Sequence, residues 1–158
     1  MKSTFPYIHT SEFLSVNSLA WFLFAAALCL VDFATRIACF AHCQLTAGKY
    51  FGLRPFKNLY FAFSVPLPSI LMYLLYGSVL AVLCTYVGTH WRALGFYSRL
   101  AWVLVFTGAV ANVGERMVLG YVRDFIQIGT GYLNMADVYI LLGVAYLLYA
   151  NFIHGEQI

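Results

Sequence analysis

"SLAWFLFAAALCLVDFATRI", residues 18–37, runs apolar from Leu19 to Val31 and then admits Asp32 and Arg36. A stretch of this length and hydrophobicity reads as a helix that crosses a bilayer. Its two charges are four residues apart, so they share one helical face and can pair there. The stretch starts too far from Lys2, and is followed by too many similar runs, to be a cleaved leader, so it reads as an uncleaved first span.

Three further runs repeat the pattern. "PLPS" opens the second span, about 66–87, with prolines that a first helical turn tolerates. The third, about 95–115, is "GFYSRLAWVLVFTGAVANVGE", and the fourth, 134–152, is "NMADVYILLGVAYLLYANF", where Asn134 can cap the helix. Together with the first span, about 18–40, these make a single integral membrane domain of four transmembrane helices. The composition agrees: 63% of the 158 residues are hydrophobic and 9% charged, a balance far from that of soluble domains. The net charge of +3 comes without a Lys/Arg block, which excludes a nucleic-acid surface. No small-xxx-small run dominates a span, which reads as a monomer.

Four spans put both termini on one side and the two longer connections, 41–65 and 116–133, on the other. In the first, "AHCQLTAGKYFGLRPFKNLYFAFSV", Gly48, Gly52 and Pro55 punctuate short aromatic and β-branched pieces. That pattern reads as a small β-structured layer on the membrane surface, and it leaves an irregular loop equally open. Lys/Arg residues near span ends favour the side of the long loops, with Arg36, Lys49, Arg54, Lys57, Arg116 and Arg123 against Lys2, Arg92 and Arg99. Taken alone, the positive-inside rule puts those loops in the cytoplasm.

Only six Asp and Glu occur in the chain, yet "ERMVLGYVRDFIQIGTGYLNMAD", 115–137, holds Glu115, Asp124 and Asp137. Carboxylates beside hydrocarbon need a reason. Asp124 follows the third span and Asp137 lies one turn into the fourth, so the two can meet at one membrane boundary. Two carboxyl groups in hydrogen-bond range resist joint ionisation, leaving one ionised and one protonated. Such a pair can activate water and polarise a peptide carbonyl with no metal or cofactor. Two other readings stay open: Asp124 simply pairs with Arg123 or Arg116 while Asp137 simply caps a helix, or the acids couple solute transport to protons. Asn112, Glu115 and Arg116 share a face at the end of the third span, and Asn134 precedes Asp137 by three. Cys39, His42 and Cys43, in "CFAHC", supply no complete zinc ligand set.

Taken in order, these motifs resemble those of lipoprotein signal peptidase, the signal peptidase II family. "DFATR" is similar to its D-x-x-T-K element, with Asp32, Thr35 and Arg36. "NLYFAFS" resembles N-x-G-x-A-F-S, with Asn58, Ala62, Phe63 and Ser64, and "ANVGER" resembles G-N-x-x-D-R. "GYVRDFI" and "LNMAD" are similar to the two elements that carry the family's catalytic aspartates. The resemblance implies a bacterial inner-membrane aspartyl protease with Asp124 and Asp137 as its dyad. Asn58, Asn112, Arg116, Asn134, Glu115 and Asp32 would bind substrate or support the site.

It further implies prolipoprotein substrates cut before a diacylglyceryl-modified cysteine, contact with membrane phospholipids, cytoplasmic termini and a site at the outer face. An extracytoplasmic β-structured cradle from the first loop and a short helix in the second are also implied. The chain departs from the family at Glu115 for Asp, Ala111 for Gly, Arg36 for Lys and Tyr60 for Gly. Its interval between the aspartates is short, which implies a reduced second loop. Tyr60 and that loop leave a non-catalytic lipopeptide-binding protein as the alternative.

Overall fold

The computed structural model of the chain describes residues 10–59 and 68–154. Its order is α1 (Thr10–His42), β1 (Leu45–Ala47), β2 (Phe51–Asn58), α2 (Ser69–His90), α3 (Phe96–Leu119), β3 (Val122–Ile128), β4 (Gly131–Leu133) and α4 (Met135–His154). All four helices are long and apolar enough to span a membrane. The N-terminal nine residues and Tyr60, Ala62, Phe63, Ser64 and Pro66, all of which entered the sequence reading, lie outside the described residues.

α2 begins at Ser69, with Pro68 at the N-cap position in extended backbone (φ −54°, ψ 137°); the expected start at Pro66 lies outside the described residues. α3 runs on past Glu115 to Leu119 and stops at Gly120, whose φ of 79° is the left-handed conformation that ends helices. Glu115 and Arg116 therefore sit inside a helix, and the second loop is shorter than 116–133.

Both loops contribute to one antiparallel sheet of order β1-β2-β3-β4. The second loop thus forms a hairpin where the resemblance implied a short helix, and the cradle belongs to both loops. Gly48, at φ 79°, turns β1 into β2. Between β2 and β3 the register slips: Leu53 faces Ile126, but Phe56 faces Asp124 and Asn58 faces Val122. Arg54 and Pro55 supply the extra residue, and a proline without an N–H is at home in such a bulge. Unbulged, the same strands would set Lys57 opposite Val122 and bring an ammonium, in place of the Asn58 amide, to Asp124.

Inside a bilayer, helices associate through close packing because lipid is as apolar as leucine. α3 and α4 achieve this through one glycine each. A Cβ at Gly108 would run into the Ala136 carbonyl and lie 2.7 Å from Ile140 Cγ1, and one at Gly143 would lie 2.5 Å from the Ala101 carbonyl oxygen. Ala101, Trp102, Val105 and Leu147 form the core between these helices, joined by Val87 and Leu94. α2 is peripheral, with Met72 and Val87 its buried apolar residues.

Gly108→Ala is expected to destabilise the protein by about 1–3 kcal/mol through overpacking, and to reduce site function because Ala136 and Asp137 are adjacent. Gly143→Ala, two turns further along α4, should cost similar stability with less effect at the site. Thermal unfolding in detergent, together with an activity assay of the same preparations, separates the two.

Candidate active site

Arg36 lies at the centre of the polar cluster and, with Asn134 and Asp124, is among the most completely buried large side chains. Its Nε donates to Asp32 Oδ2 at 2.7 Å, as their i,i+4 spacing allows. Nη1 donates to Glu115 Oε2, and Nη2 to Asn112 Oδ1 at 2.7 Å. One guanidinium thus joins α1 to the Asn112–Glu115 face of α3. Glu115 also accepts from the Arg123 backbone N–H at 3.1 Å and from Arg123 Nε, which fixes the start of β3.

The head of α4 is built by reciprocal capping. Asn134 Oδ1 accepts from the Asp137 N–H at 3.0 Å, while Asp137 Oδ2 accepts from the Asn134 N–H at 3.1 Å. This satisfies donors that a helix start otherwise leaves bare. Asp32 Oδ1 takes another, the Ala136 N–H, at 2.9 Å. The second oxygen of Asp137 accepts from Asn112 Nδ2 at 2.8 Å.

Asn134 holds the other aspartate as well, donating from Nδ2 to Asp124 Oδ1 at 2.6 Å, while Asn58 Nδ2 donates to Oδ2 at 2.9 Å. Asp124 therefore hangs from β3 between an amide of the sheet and an amide of the α4 cap. Asn112, Asn134 and Asn58 link both aspartates into one network, which Arg36 joins through Asn112. Burial pushes Asp124 up to about 6, and the nearby Asp137 charge acts in the same direction. Hydrogen bonds from Asn134 and Asn58, and the Arg36 charge, hold it back from rising further.

Seven of the eight residues singled out from sequence meet in this cluster: Asp124, Asp137, Asn58, Asn112, Asn134, Glu115 and Asp32. Arg116 turns to a neighbouring face of α3. Its Nη1 donates to Tyr76 Oη at 2.6 Å, and its carbonyl accepts from Tyr73 Oη at 3.1 Å, both on α2. Neither Arg116 nor Arg123 pairs with Asp124, which removes the simple ion-pair reading, whereas helix capping by Asp137 is present and coexists with the cluster. Arg36 and Tyr76 were absent from the sequence-derived site. The spacing from Asp32 signalled Arg36, but nothing in the apolar surroundings of Tyr76 pointed to it. A cavity of about 350 Å³ opens between α1 and α3 beside Arg36, Glu115 and Arg123, and neither Asp124 nor Asp137 lines it. Among the described residues, no three His, Cys, Asp or Glu side chains group to hold a metal ion.

The family model for Signal peptidase (SPase) II matches residues 24–153. Lipoprotein signal peptidase from Fusobacterium nucleatum subsp. nucleatum is 29% identical over 104 residues, 64% of this chain and 56% of that protein. The enzyme of the same name from Microcystis aeruginosa is 34% identical over 76 residues, 46% of this chain and 47% of its own length. The chain spans about half the length of the curated relatives it matches. Two solved structures described as a bacterial membrane enzyme share the fold. One has a TM-score of 0.70 at 20% identity and covers 85% of this chain and 93% of its own. The other has a TM-score of 0.69 at 15% identity, with 88% and 93% covered. With the family model matched across both aspartates and all four helices, the chain belongs to the signal peptidase II family.

Proposed function

We propose that this protein is an intramembrane aspartyl endopeptidase that removes the signal peptide from diacylglyceryl-modified prolipoproteins, cutting before the lipidated cysteine. The observation that carries this reading is the shared suspension of Asp124 and Asp137 from Asn134 and Asn112. In the working enzyme the pair holds one proton. The ionised carboxylate takes a proton from water as the water oxygen attacks the scissile carbonyl, and the protonated acid donates to the carbonyl oxygen. Collapse of the tetrahedral adduct returns a proton to the departing amine.

The asparagines keep the carboxyl groups oriented between turnovers, which limits the reorganisation that the transition state requires. Arg36, Glu115 and Asp32 fix the positions of those asparagines and of the α4 cap. Arg116, held by Tyr76, is placed to meet substrate from the α2 side. The protein works as a monomer in the bacterial inner membrane among phospholipids, with cytoplasmic termini and the site at the outer boundary. Family membership favours this orientation over the Lys/Arg count, and the inward positions of Arg36 and Arg116 support leaving those two residues out of that count.

The test is incubation of the purified chain in detergent with a diacylglyceryl-modified lipobox peptide and its unlipidated counterpart. A product beginning at the lipidated cysteine, with slower or no cutting of the unlipidated peptide, is expected. A folded chain that cuts neither peptide overturns the reading, and if it still binds the lipidated one it is the non-catalytic lipopeptide-binding protein.

The pH dependence has a definite sign. Loss of the shared proton removes the acid, so kcat/KM, which reports the free enzyme, should fall as pH rises through about 6, the value to which burial pushes Asp124. Bound substrate excludes water and favours the protonated form further, so the alkaline limb of kcat should lie higher than that of kcat/KM. Initial rates at limiting and saturating peptide across pH 4–9 measure both limbs. Coincident limbs would contradict a site that dries on binding.

A further inference from the structure

We infer that the outer edge of β4 is a backbone-pairing subsite in which the extended segment just after the scissile bond joins the sheet as a fifth strand. This inference rests on the proposed peptidase reading and specifies how the polypeptide is held. Sheet order leaves β4 at an edge, and among the described residues no strand pairs with its far side. Exposed edges are templates for an incoming strand.

The hairpin determines which groups are offered. Ile128 and Gly131 pair across the two-residue turn, so Gln127 and Tyr132 are the next pair. In a two-residue hairpin the closing pair exchanges hydrogen bonds and the next does not, which directs the Tyr132 N–H and C=O away from β3. One residue of an incoming strand can therefore make both bonds with Tyr132. Stacking of the Tyr132 ring on Phe56, with centroids 4.4 Å apart, steadies the peptide unit.

Direction and position both fit. β4 runs from the hairpin tip toward the membrane boundary and leads directly into Asn134, which holds both aspartates. A polypeptide passing outward from the bilayer past the dyad runs the opposite way. It would meet β4 antiparallel, the orientation already used throughout this sheet.

The experiment compares kcat and KM for wild type, Tyr132→Ala and Tyr132→Pro on the lipidated peptide, and for wild type on peptides singly N-methylated at successive residues after the cut. Both substitutions remove the ring, and only proline removes the N–H, from an edge position where no sheet bond is lost. Tyr132→Pro should show a KM about three- to tenfold above that of Tyr132→Ala, the worth of one hydrogen bond, with little difference in kcat. N-methylation should raise the wild-type KM at alternate positions, most strongly at a single one, and the increase at that position should persist in the proline variant, which keeps the Tyr132 carbonyl that accepts from this N–H. Equal KM values for the two variants, or an even response along the peptide, would overturn the inference. The N-methyl series needs no altered protein, so it decides the matter even if the proline variant misfolds. Failure of the wild type to cut any lipidated peptide overturns the peptidase reading and this inference with it.

Discussion

Asp124→Asn is expected to lower kcat by about 10³–10⁴-fold, at the upper end of what a positioned acid–base group contributes, while lipidated peptide still binds. The substitution preserves shape and leaves one acceptor oxygen, which the Asn134 amide keeps. Asn58 then meets an NH₂ group, but its own amide can turn and present its oxygen. Asp137→Asn should abolish turnover to the same degree with a structural penalty as well. Both Asp137 oxygens are occupied, by the Asn134 N–H and by Asn112 Nδ2, and an amide has one oxygen for those two donors. Loss of a cap bond costs about 0.5–2 kcal/mol, so this variant should melt earlier than Asp124→Asn. Single-turnover cleavage beside peptide binding and thermal unfolding distinguishes chemistry from folding. Turnover within tenfold of wild type in Asp124→Asn would exclude that residue from the reaction.

The second large effect concerns stability. Arg36→Met should destabilise the protein by about 3–5 kcal/mol, because removing one partner from a buried charge cluster leaves the others uncompensated. Asp32, Glu115 and Asn112 each lose a donor at once. Arg36→Lys retains the charge, but a single ammonium cannot reproduce three donors aimed at two helices, so an intermediate loss is expected. The pair of variants also separates charge from geometry at the dyad. The Arg36 charge holds Asp124 down, so Met at this position should move the alkaline limb of kcat/KM upward, whereas Lys should leave it near the wild-type value. Unfolding curves and pH profiles of the same preparations provide both readouts.

Sequence periodicity was most informative where a residue answers to its own helix. The four apolar runs, the Asp32–Arg36 pair and the cap at Asn134 all depend on spacing within a few residues, and the structure reproduces them. The β3–β4 hairpin carried a local signal too, with Val122, Phe125, Ile126 and Ile128 leading to Gly129 and Gly131. The resemblance implied a helix there, and the chain forms the hairpin instead. What spacing could not supply were features set by a partner. The bulge at Arg54 and Pro55 exists only relative to β3, and the choice between Asn58 and Lys57 as neighbour to Asp124 follows from it. Likewise Arg116 lies on the helical face next to Glu115, and its direction is determined by Tyr76 and Tyr73 on α2.

The network also has an order in time. Each charged side chain placed in the middle of a span costs about 2.5–3.5 kcal/mol on insertion, and this chain distributes its charges so that partners precede them. α1 carries Asp32 and Arg36 together and enters the bilayer as a neutral pair. When α3 arrives with Glu115 and Arg116, Arg36 is already present on α1 and Tyr76 on α2. α4 brings Asp137 last, to an Asn112 already in place on α3. Biogenesis from the N-terminus therefore brings Glu115, Arg116 and Asp137 each to a hydrogen-bond partner that has already been synthesised.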